Sequence, residues 1–278
     1  MTTTEMPEPS DRHVIAGGAR LNYFDWGNPD GQALVILHGI QDCARSWDTF
    51  AANMRDYYHV IALDSRGHGD SAWLEPDRYT FRDYVSDIAA LVNSLGLRRI
   101  VLMGHSAGAR YAFVYAGEHP DVVESLIVVD IDPDSVNTVL QGMFERYETE
   151  PDEWGSMEAV VERLRSRQPQ SSDEMLRLQA EVMTRDSGGG KRVWKRDRAI
   201  LKAYQRPGLW KEWSRIAAPT LIVRGRQSNL LTHETAVKMR EALPKTKLAE
   251  LEGGGHWFYQ EFPGAFEATV RWFLEGQD

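Results

Sequence analysis

The sequence is nearly free of cysteine, since Cys43 is the single one among 278 residues. One cysteine excludes an internal disulfide and any metal site built from several thiolates. The histidines are dispersed along the chain and show no metal-ligand spacing. We therefore predict no metal and no cofactor, and we expect a reducing compartment such as the cytoplasm.

Long apolar runs and long basic blocks are missing as well. Without a run of about 18 apolar residues, no segment is predicted to span a membrane. Lys and Arg number 32 against 41 Asp and Glu, and the formal net charge of −9 argues against a nucleic-acid partner. Residues 1–12 are polar, contain proline and lack the apolar stretch of a secretory signal, so we expect a disordered tail there.

What the chain does contain is a series of short apolar runs, each followed by a loop of turn-forming residues. Such runs are typical of strands that are buried on both faces of a parallel sheet. Between them lie amphipathic stretches such as residues 80–95, which predict helices and hence parallel βαβ units. The predicted strands are a hairpin at 13–15 and 20–25, followed by 33–37, 60–63, 100–103, 126–129, 219–223 and 247–251, and a terminal helix is predicted at 264–274.

The strand pattern disappears between about residues 134 and 215. Charged, helical stretches take over there, and Pro151, Pro169 and the glycine-rich residues 187–190 break them into pieces. We expect this segment to be a helical cap over the carboxyl ends of the strands. The predicted organisation is a tail at 1–12, an α/β core at 13–133 and 216–278, and the cap at 134–215.

A G-x-S-x-G pattern occupies residues 104–108. It follows an apolar run and precedes a helical pattern, so Ser106 is predicted to lie at a tight strand-to-helix corner. The free N–H groups at the start of the helix suit the negative charge that develops on a reacting carbonyl oxygen. In this context the pattern predicts that Ser106 is a nucleophile.

Taken together, these features resemble the α/β-hydrolase fold. The matching motifs are the HG loop at 38–39, DSRGHGDS at 64–71, GHSAG at 104–108 and GGGHW at 253–257. The resemblance covers all but the tail and the cap. It implies an α/β architecture in which helices cover both faces of a mostly parallel sheet. It is less specific for the reaction, because this fold carries many chemistries.

Within this resemblance, Ser106 matches the nucleophile and His256 the general base. The backbone amides of Ile40 and Ala107 match the oxyanion hole. His38 and His105 lie near the site, either as substrate contacts or as residues that orient the loops. Cys43 is a poor rival nucleophile, because it lacks the strand-turn-helix context.

The third member of the triad departs from the usual pattern of the family. The loop that commonly carries an Asp has Ser228 and Asn229 in its place. A base histidine needs an anion that fixes its tautomer and stabilises the imidazolium. Asp130, at the end of the strand after the serine helix, is the predicted acid, since some members of this fold carry it there. Asp132 is its close competitor.

The function that this resemblance implies is a serine hydrolase that acts through an acyl-enzyme. We expect it to cleave an ester, amide or C–C bond next to a carbonyl. The cap is rich in arginine, and a guanidinium over the cleft would bind a carboxylate. A small, carboxylate-bearing organic substrate is therefore predicted, as members of this fold that degrade aromatic and heterocyclic compounds suggest. Its expected contacts are Arg146, Arg167, Trp194 and Trp257.

Two other functions stay open. The chain is compatible with a cofactor-free dioxygenase, in which a His–Asp dyad deprotonates a heterocycle, and with a small-molecule receptor that has little turnover. Oxygen consumption without a cofactor would identify the first, and turnover after labelling of Ser106 would exclude the second. In each case the partner is a small molecule rather than a nucleic acid or a membrane, and a homodimer is compatible with the sequence.

Overall fold

The computed structural model describes residues 7–276 of the chain. In that range the strands, in chain order, are β1 Ser10–Ala16, β2 Ala19–Asp25, β3 Gln32–Leu37, β4 Tyr58–Leu63, β5 Ile100–His105, β6 Val123–Val129, β7 Glu153–Trp154, β8 Thr184–Gly188, β9 Lys191–Trp194, β10 Thr220–Gly225 and β11 Thr246–Leu251. The helices are α1 Asp48–Met54, α2 Phe81–Ser94, α3 Ala107–Glu118, α4 Thr138–Thr149, α5 Met157–Arg167, α6 Asp173–Met183, α7 Ala199–Ala203, α8 Trp210–Trp213, α9 His233–Glu241, α10 Phe258–Glu261 and α11 Pro263–Glu275.

Eight of the strands in the described range form one sheet in the order β1-β2-β4-β3-β5-β6-β10-β11. The hairpin β1-β2 and the β2-β4 pair are antiparallel, and the remaining pairs are parallel. Leu37 pairs with Gly104, and His105 pairs with Val129. The carboxyl ends of β3, β5 and β6 therefore meet at one edge, and the predicted mostly parallel sheet is confirmed.

Both faces of this sheet are covered, which explains the continuous apolar runs. On β3, Val35 and Leu37 pack into the cluster that contains the buried side chains of α2 and α3. Leu34 and Ile36 point to the other face, where α1 and α11 cover them. Alternate residues of one strand thus belong to different cores, so neither set can be polar. No helix of residues 7–276 combines the length and apolar character that a membrane span requires.

Local signals explain where α2 begins and ends. The hydroxyl of Thr80 accepts a hydrogen bond from the amide of Asp83, and the Asp83 carboxylate accepts one from the amide of Thr80. This reciprocal pair satisfies two amides that the first turn leaves free. Gly96, with a φ of 65°, follows the last turn and lets the chain leave the helix in a left-handed conformation.

Two expectations from the sequence need correction. Strand β1 begins at Ser10, so residues 10–12 are strand rather than tail, while residues 1–6 lie outside the described part of the chain. The insertion between β6 and β10 is not wholly helical, since β7, β9 and β8 form a small antiparallel sheet. The glycines that were expected to break a helix form the turn between β8 and β9.

Arg110 connects the two ends of the insertion to α3. This side chain is fully buried, and its guanidinium donates hydrogen bonds to the carbonyl oxygens of Asp132, Asp134 and Pro207. Residues 132–134 precede α4, and residue 207 precedes α8. One side chain of the helix that follows Ser106 therefore fixes both the entry and the exit of the insertion.

Replacing Arg110 with Met should lower the free energy of unfolding by about 3 kcal/mol, because it removes the donor of three hydrogen bonds, one of them to the carbonyl of the buried Asp132. Urea denaturation followed by circular dichroism measures this. Arg98→Met is the matched control, since Arg98 is exposed and its loss should change stability by less than about 0.5 kcal/mol. Equal effects of the two substitutions would contradict the anchoring role.

Candidate functional site

Ser106 lies at the corner between β5 and α3. Its backbone has φ 53° and ψ −124°, a strained combination for a residue with a side chain. A Cβ on Gly104 would lie 2.6 Å from the backbone nitrogen of Ala109, and one on Gly108 would lie 2.4 Å from the carbonyl oxygen of His38. Both positions therefore require glycine. Because Ala107 is the first residue of α3, its amide has no acceptor within the helix.

Asp130 and His256 contact each other beside His105, the last residue of β5. Asp130 directly follows β6, and His256 lies in the loop between β11 and α10. The Nδ1 of His256 donates to Oδ2 of Asp130 at 2.7 Å, and both residues are buried. The ring of His256 also lies 4.5 Å, centre to centre, from the ring of His105, the residue before Ser106. Three segments that are far apart in sequence thus converge on one point.

Ser228 makes a further contact with the same carboxylate, one that the sequence did not indicate. Its hydroxyl donates to Oδ2 of Asp130, the oxygen that also accepts from His256. Ser228 stands in the loop after β10, where the family commonly has an Asp. Because β10 lies next to β6 in the sheet, this loop reaches Asp130. In the sequence, the only indication of this contact is that Ser228 occupies the loop position where the family commonly has an Asp.

Asp132, the competing carboxylate, is used elsewhere. Its Oδ1 accepts from the amide of Asp134 at 2.8 Å and from Arg206 at 2.6 Å, and its Oδ2 accepts from Asn137 at 2.9 Å. These partners all belong to the junction with the insertion. The carboxylate that reaches His256 is that of Asp130.

Burial and charge determine the protonation of the two partners. Burial, followed by the positive charge of Arg167, lowers the pKa of His256 to about 3, against the opposing charge of Asp42. Burial raises the pKa of Asp130 well above its ordinary value, while the Ser228 hydrogen bond and the charge of Arg224 act against that rise. The imidazole is therefore neutral at neutral pH, which is the form that can accept a proton.

The two other predicted histidines hydrogen-bond to the backbone through three of their four ring nitrogens, and Nδ1 of His105 is buried without a partner among residues 7–276. In His38, Nδ1 donates to the carbonyl of Gly39 at 2.7 Å, and Nε2 accepts from the amide of Ser65 at 3.0 Å. In His105, Nε2 donates to the carbonyl of His256 at 3.0 Å, and burial lowers its pKa well below the ordinary value. These hydrogen bonds hold neighbouring loops together, and His38 also lines a small cavity with Ile40 and Ala107.

A cavity of about 530 Å³ lies between the insertion and the His256 loop. Three of the residues predicted from the sequence as substrate contacts, Arg146, Arg167 and Trp257, line it. The Arg167 guanidinium lies 4.5 Å from the ring centre of Trp257, and that ring lies 4.9 Å from the ring of His256. These contacts connect the cavity to the catalytic candidates.

The cavity also has charged and aromatic walls that the sequence did not reveal. Arg163 lines it and pairs with the buried Glu150, which also binds Arg196 at 3.0 Å. By contrast, neither Arg146 nor Arg167 has a carboxylate partner anywhere in residues 7–276. The cavity therefore contains positive charge that the described residues leave unpaired.

Trp194 does not line this cavity. It is 2% exposed and packs in the hydrophobic cluster of α5 and α6, with the Arg196 guanidinium 4.7 Å from its ring centre. Trp154 lies edge-on to it at 6.0 Å and reaches the cavity in its place. For metal binding, residues 7–276 contain no group of three or more His, Cys, Asp or Glu side chains with suitable geometry.

Comparison with known proteins gives consistent matches over nearly the whole chain. The family model described as alpha/beta hydrolase fold matches residues 32–263. A 2-(acetamidomethylene)succinate hydrolase of Mesorhizobium japonicum is 28% identical over 266 residues, covering 95% of each chain. An esterase of Mycobacterium tuberculosis is 27% identical over 275 residues, covering 97% of this chain and 90% of the esterase. The crystal structure of E-2-(acetamidomethylene)succinate hydrolase matches with a TM-score of 0.88 at 26% identity, covering 96% of this chain and 99% of its own.

Replacing Arg167 with Gln should raise the pKa of His256, because a nearby positive charge no longer opposes protonation. The imidazole shift of His256, followed by NMR against pH, measures this, and we expect its midpoint to move to higher pH than in the wild-type protein. The control is Arg165→Gln on the same helix, since Arg165 pairs with Asp173 at 2.9 Å. A midpoint that is the same in both variants would contradict the assigned cause.

Proposed function

The chain belongs to the α/β-hydrolase fold family, and from this premise we propose that it is a serine hydrolase acting on a small, carboxylate-bearing substrate. A hydrolytic function is supported by its relatives, which include a succinate-derivative hydrolase and an esterase. The finer assignment of nucleophile, base and acid is our proposal. We also propose that residues 134–215 act as the cap.

The observation that carries the proposal is the 2.7 Å hydrogen bond between His256 and Asp130 beside the Ser106 corner. With Nδ1–H held by a carboxylate, the other ring nitrogen, Nε2, carries the lone pair. Burial keeps that imidazole neutral. A neutral, oriented imidazole next to a serine at a strained corner is what a general base for acyl transfer requires.

The reaction then proceeds in two halves. His256 takes the proton of Ser106, whose Oγ attacks the substrate carbonyl, and the resulting oxyanion accepts hydrogen bonds from the amides of Ile40 and Ala107. His256 next protonates the leaving group, which departs and leaves an acyl-enzyme. Water enters, loses a proton to His256 and releases the acid, while Asp130 stabilises the imidazolium in both halves.

Substrate selection is assigned to the unpaired arginines of the cavity. A guanidinium without a protein carboxylate partner binds a substrate carboxylate through charge-assisted hydrogen bonds. Arg167 is the better placed of the two, because Trp257 connects it to His256. The name of the Mesorhizobium japonicum relative describes a derivative of succinate, which has two carboxylates, and this agrees with an acidic substrate.

Covalent labelling and turnover test the assigned triad. Wild-type protein should react with a fluorophosphonate at Ser106, and Ser106→Ala should not. Asp130→Asn should lower kcat by roughly ten-thousand-fold, because an amide does not hold the imidazole in the productive tautomer. The matched control is Asn229→Ala, which should retain near-normal activity. Normal turnover by Asp130→Asn would exclude Asp130, and labelling without turnover would favour a receptor.

A panel of esters tests the role of Arg167. Esters that carry a carboxylate should be favoured over neutral ones of the same size by about tenfold in kcat/KM, the value of one charged hydrogen bond. Arg167→Gln should remove this preference in kcat/KM, while Arg165→Gln should keep it. Equal turnover of acidic and neutral esters by the wild-type enzyme would argue against a carboxylate clamp.

A further inference from the structure

Asp42 is a buried carboxylate in the segment between β3 and α1, the segment that also carries Ile40. Its Oδ1 accepts hydrogen bonds from the amide of Cys43 at 2.9 Å and from the hydroxyl of Ser46. Its Oδ2 accepts one from the hydroxyl of Tyr259 at 2.8 Å. The first two donors belong to the same segment, whereas Tyr259 lies on α10, 217 residues further along the chain. Asp42 therefore joins two distant parts of the chain.

Tyr259 contacts the same segment a second time through its ring. The ring stacks on that of Trp47, with the centres 4.1 Å apart and the planes within 8° of parallel. Both side chains are buried. Because the hydroxyl is bonded to Asp42 and the ring is stacked on Trp47, Tyr259 cannot shift without losing one of the two contacts. The helix α10 is thus held against the segment between β3 and α1.

This contact lies close to the proposed base. His256 comes three residues before Tyr259, and the ring of His105 lies between theirs, 4.8 Å from the ring of Tyr259 and 4.5 Å from that of His256. His105 also donates from Nε2 to the carbonyl of His256 at 3.0 Å, and it directly precedes Ser106. The contacts from Asp42 through Tyr259 and His105 therefore reach the segments of both the base and the nucleophile.

Asp42 also acts on the base through its charge. The charged and titratable side chains around the His256 ring include Asp130, His105, Arg167 and Asp42. Burial and then Arg167 lower the pKa of His256, and Asp42 opposes them. A carboxylate that raises the pKa of an imidazole stabilises the imidazolium, which is the form that appears when the base takes a proton.

A buried carboxylate is not required to hold two segments together. Taking this charge out of water costs free energy, and well-packed apolar side chains of similar volume often stabilise a fold equally well. What an apolar side chain at position 42 could not supply is a negative charge near His256. The charge and the contact with Tyr259 are therefore best explained together, by the needs of the base.

We propose that Asp42 is a positioning residue for the general base. Through Tyr259 it holds the segment of His256 against the loop that carries Ile40, and its negative charge supports the imidazolium during proton transfer. The inference rests on the proposed function and adds to it a residue outside the predicted triad. Asp42 takes no part in the bond changes, since the proton moves between Ser106 and His256.

Tyr259→Phe tests the hydrogen bond, because it removes the donor and keeps the carboxylate. With para-nitrophenyl acetate as substrate and active sites counted by fluorophosphonate titration, kcat per site should fall by about tenfold. KM should stay nearly constant, since neither Asp42 nor Tyr259 lines the arginine-lined cavity. Tyr115→Phe is the matched control, because Tyr115 is buried near the end of α3 and burial alone raises its pKa, to about 12. Equal kcat values for the two variants would contradict the positioning role.

Asp42→Asn and the double variant test whether the two residues act as a unit. Asp42→Asn keeps the size of the side chain and removes its charge, and kcat per site should again fall by about tenfold. Asp42→Asn combined with Tyr259→Phe should be little worse than Asp42→Asn alone, because both changes disrupt the same contact. A loss of about a hundredfold in the double variant, as for independent sites, would overturn the inference.

The pH profile separates the charge of Asp42 from a purely structural role. Arg167→Gln provides the background, since it should raise the pKa of His256 and so move the acidic limb of kcat/KM to a more accessible pH. In that background Asp42→Asn should move the limb to lower pH, because it removes a charge that raises the pKa of His256. Tyr259→Phe, which keeps the carboxylate, should leave the limb in place. A limb that Asp42→Asn does not move would overturn the electrostatic role.

The outcomes separate this inference from the function on which it rests. If the wild-type protein is labelled at Ser106 and turns over the ester, but the Asp42 and Tyr259 variants match the Tyr115→Phe control, the enzyme is a serine hydrolase and the inference is wrong. If the wild-type protein turns over no ester and Ser106 resists labelling, the proposed function fails, and the inference fails with it.

Discussion

The structure depends on how closely the corner at Ser106 approaches the loop after β3. A Cβ on Gly39 would lie 3.0 Å from the Cβ of Ser106, and one on Gly108 would overlap the carbonyl of His38. Only glycine permits this contact, and Ile40 and Ala107, the next residues on the two segments, both line one small cavity. This close approach requires the strained backbone conformation of Ser106, with its positive φ. The hydrophobic clusters on the two faces of the sheet stabilise that conformation.

The position of the acid follows from the order of the strands. β6 lies between β5 and β10, so the loops after β6 and β10 both end near the corner. A carboxylate on either loop can reach the same imidazole. In this chain the loop after β6 supplies Asp130, and the loop after β10 supplies Ser228, which donates a hydrogen bond to it. The Ser228 hydroxyl counteracts part of the rise in the pKa of Asp130 that burial causes. The residue that replaces the usual Asp of the family thus supplies a hydrogen bond to the Asp that this chain has instead.

Sequence reasoning recovered the parts that depend on local patterns. The strands of the core are continuous apolar runs because both faces are buried, and the glycines of residues 104–108 mark the corner. The small sheet of the insertion was not predicted. Its strands β8 and β9 are largely polar and have neither alternation nor an apolar run, so they lack the pattern by which the core strands are recognised. It also misplaced Trp194, since no pattern tells which tryptophan of the insertion faces the cavity. Contacts such as that of His256 with Asp130 join residues 126 positions apart, and there the family resemblance supplied what periodicity could not.

The unpaired charge of Arg167 has two consequences that belong together. In the free protein it lowers the pKa of His256, which keeps the base neutral but also makes it a weaker proton acceptor. A substrate carboxylate bound to Arg167 cancels much of that field, so the basicity of His256 rises when the substrate arrives. Arg167, which we propose selects an acidic substrate, would then also make His256 a stronger acceptor for the proton of Ser106. A neutral ester leaves the field uncompensated, and its slower reaction would reflect a weaker base as well as weaker binding.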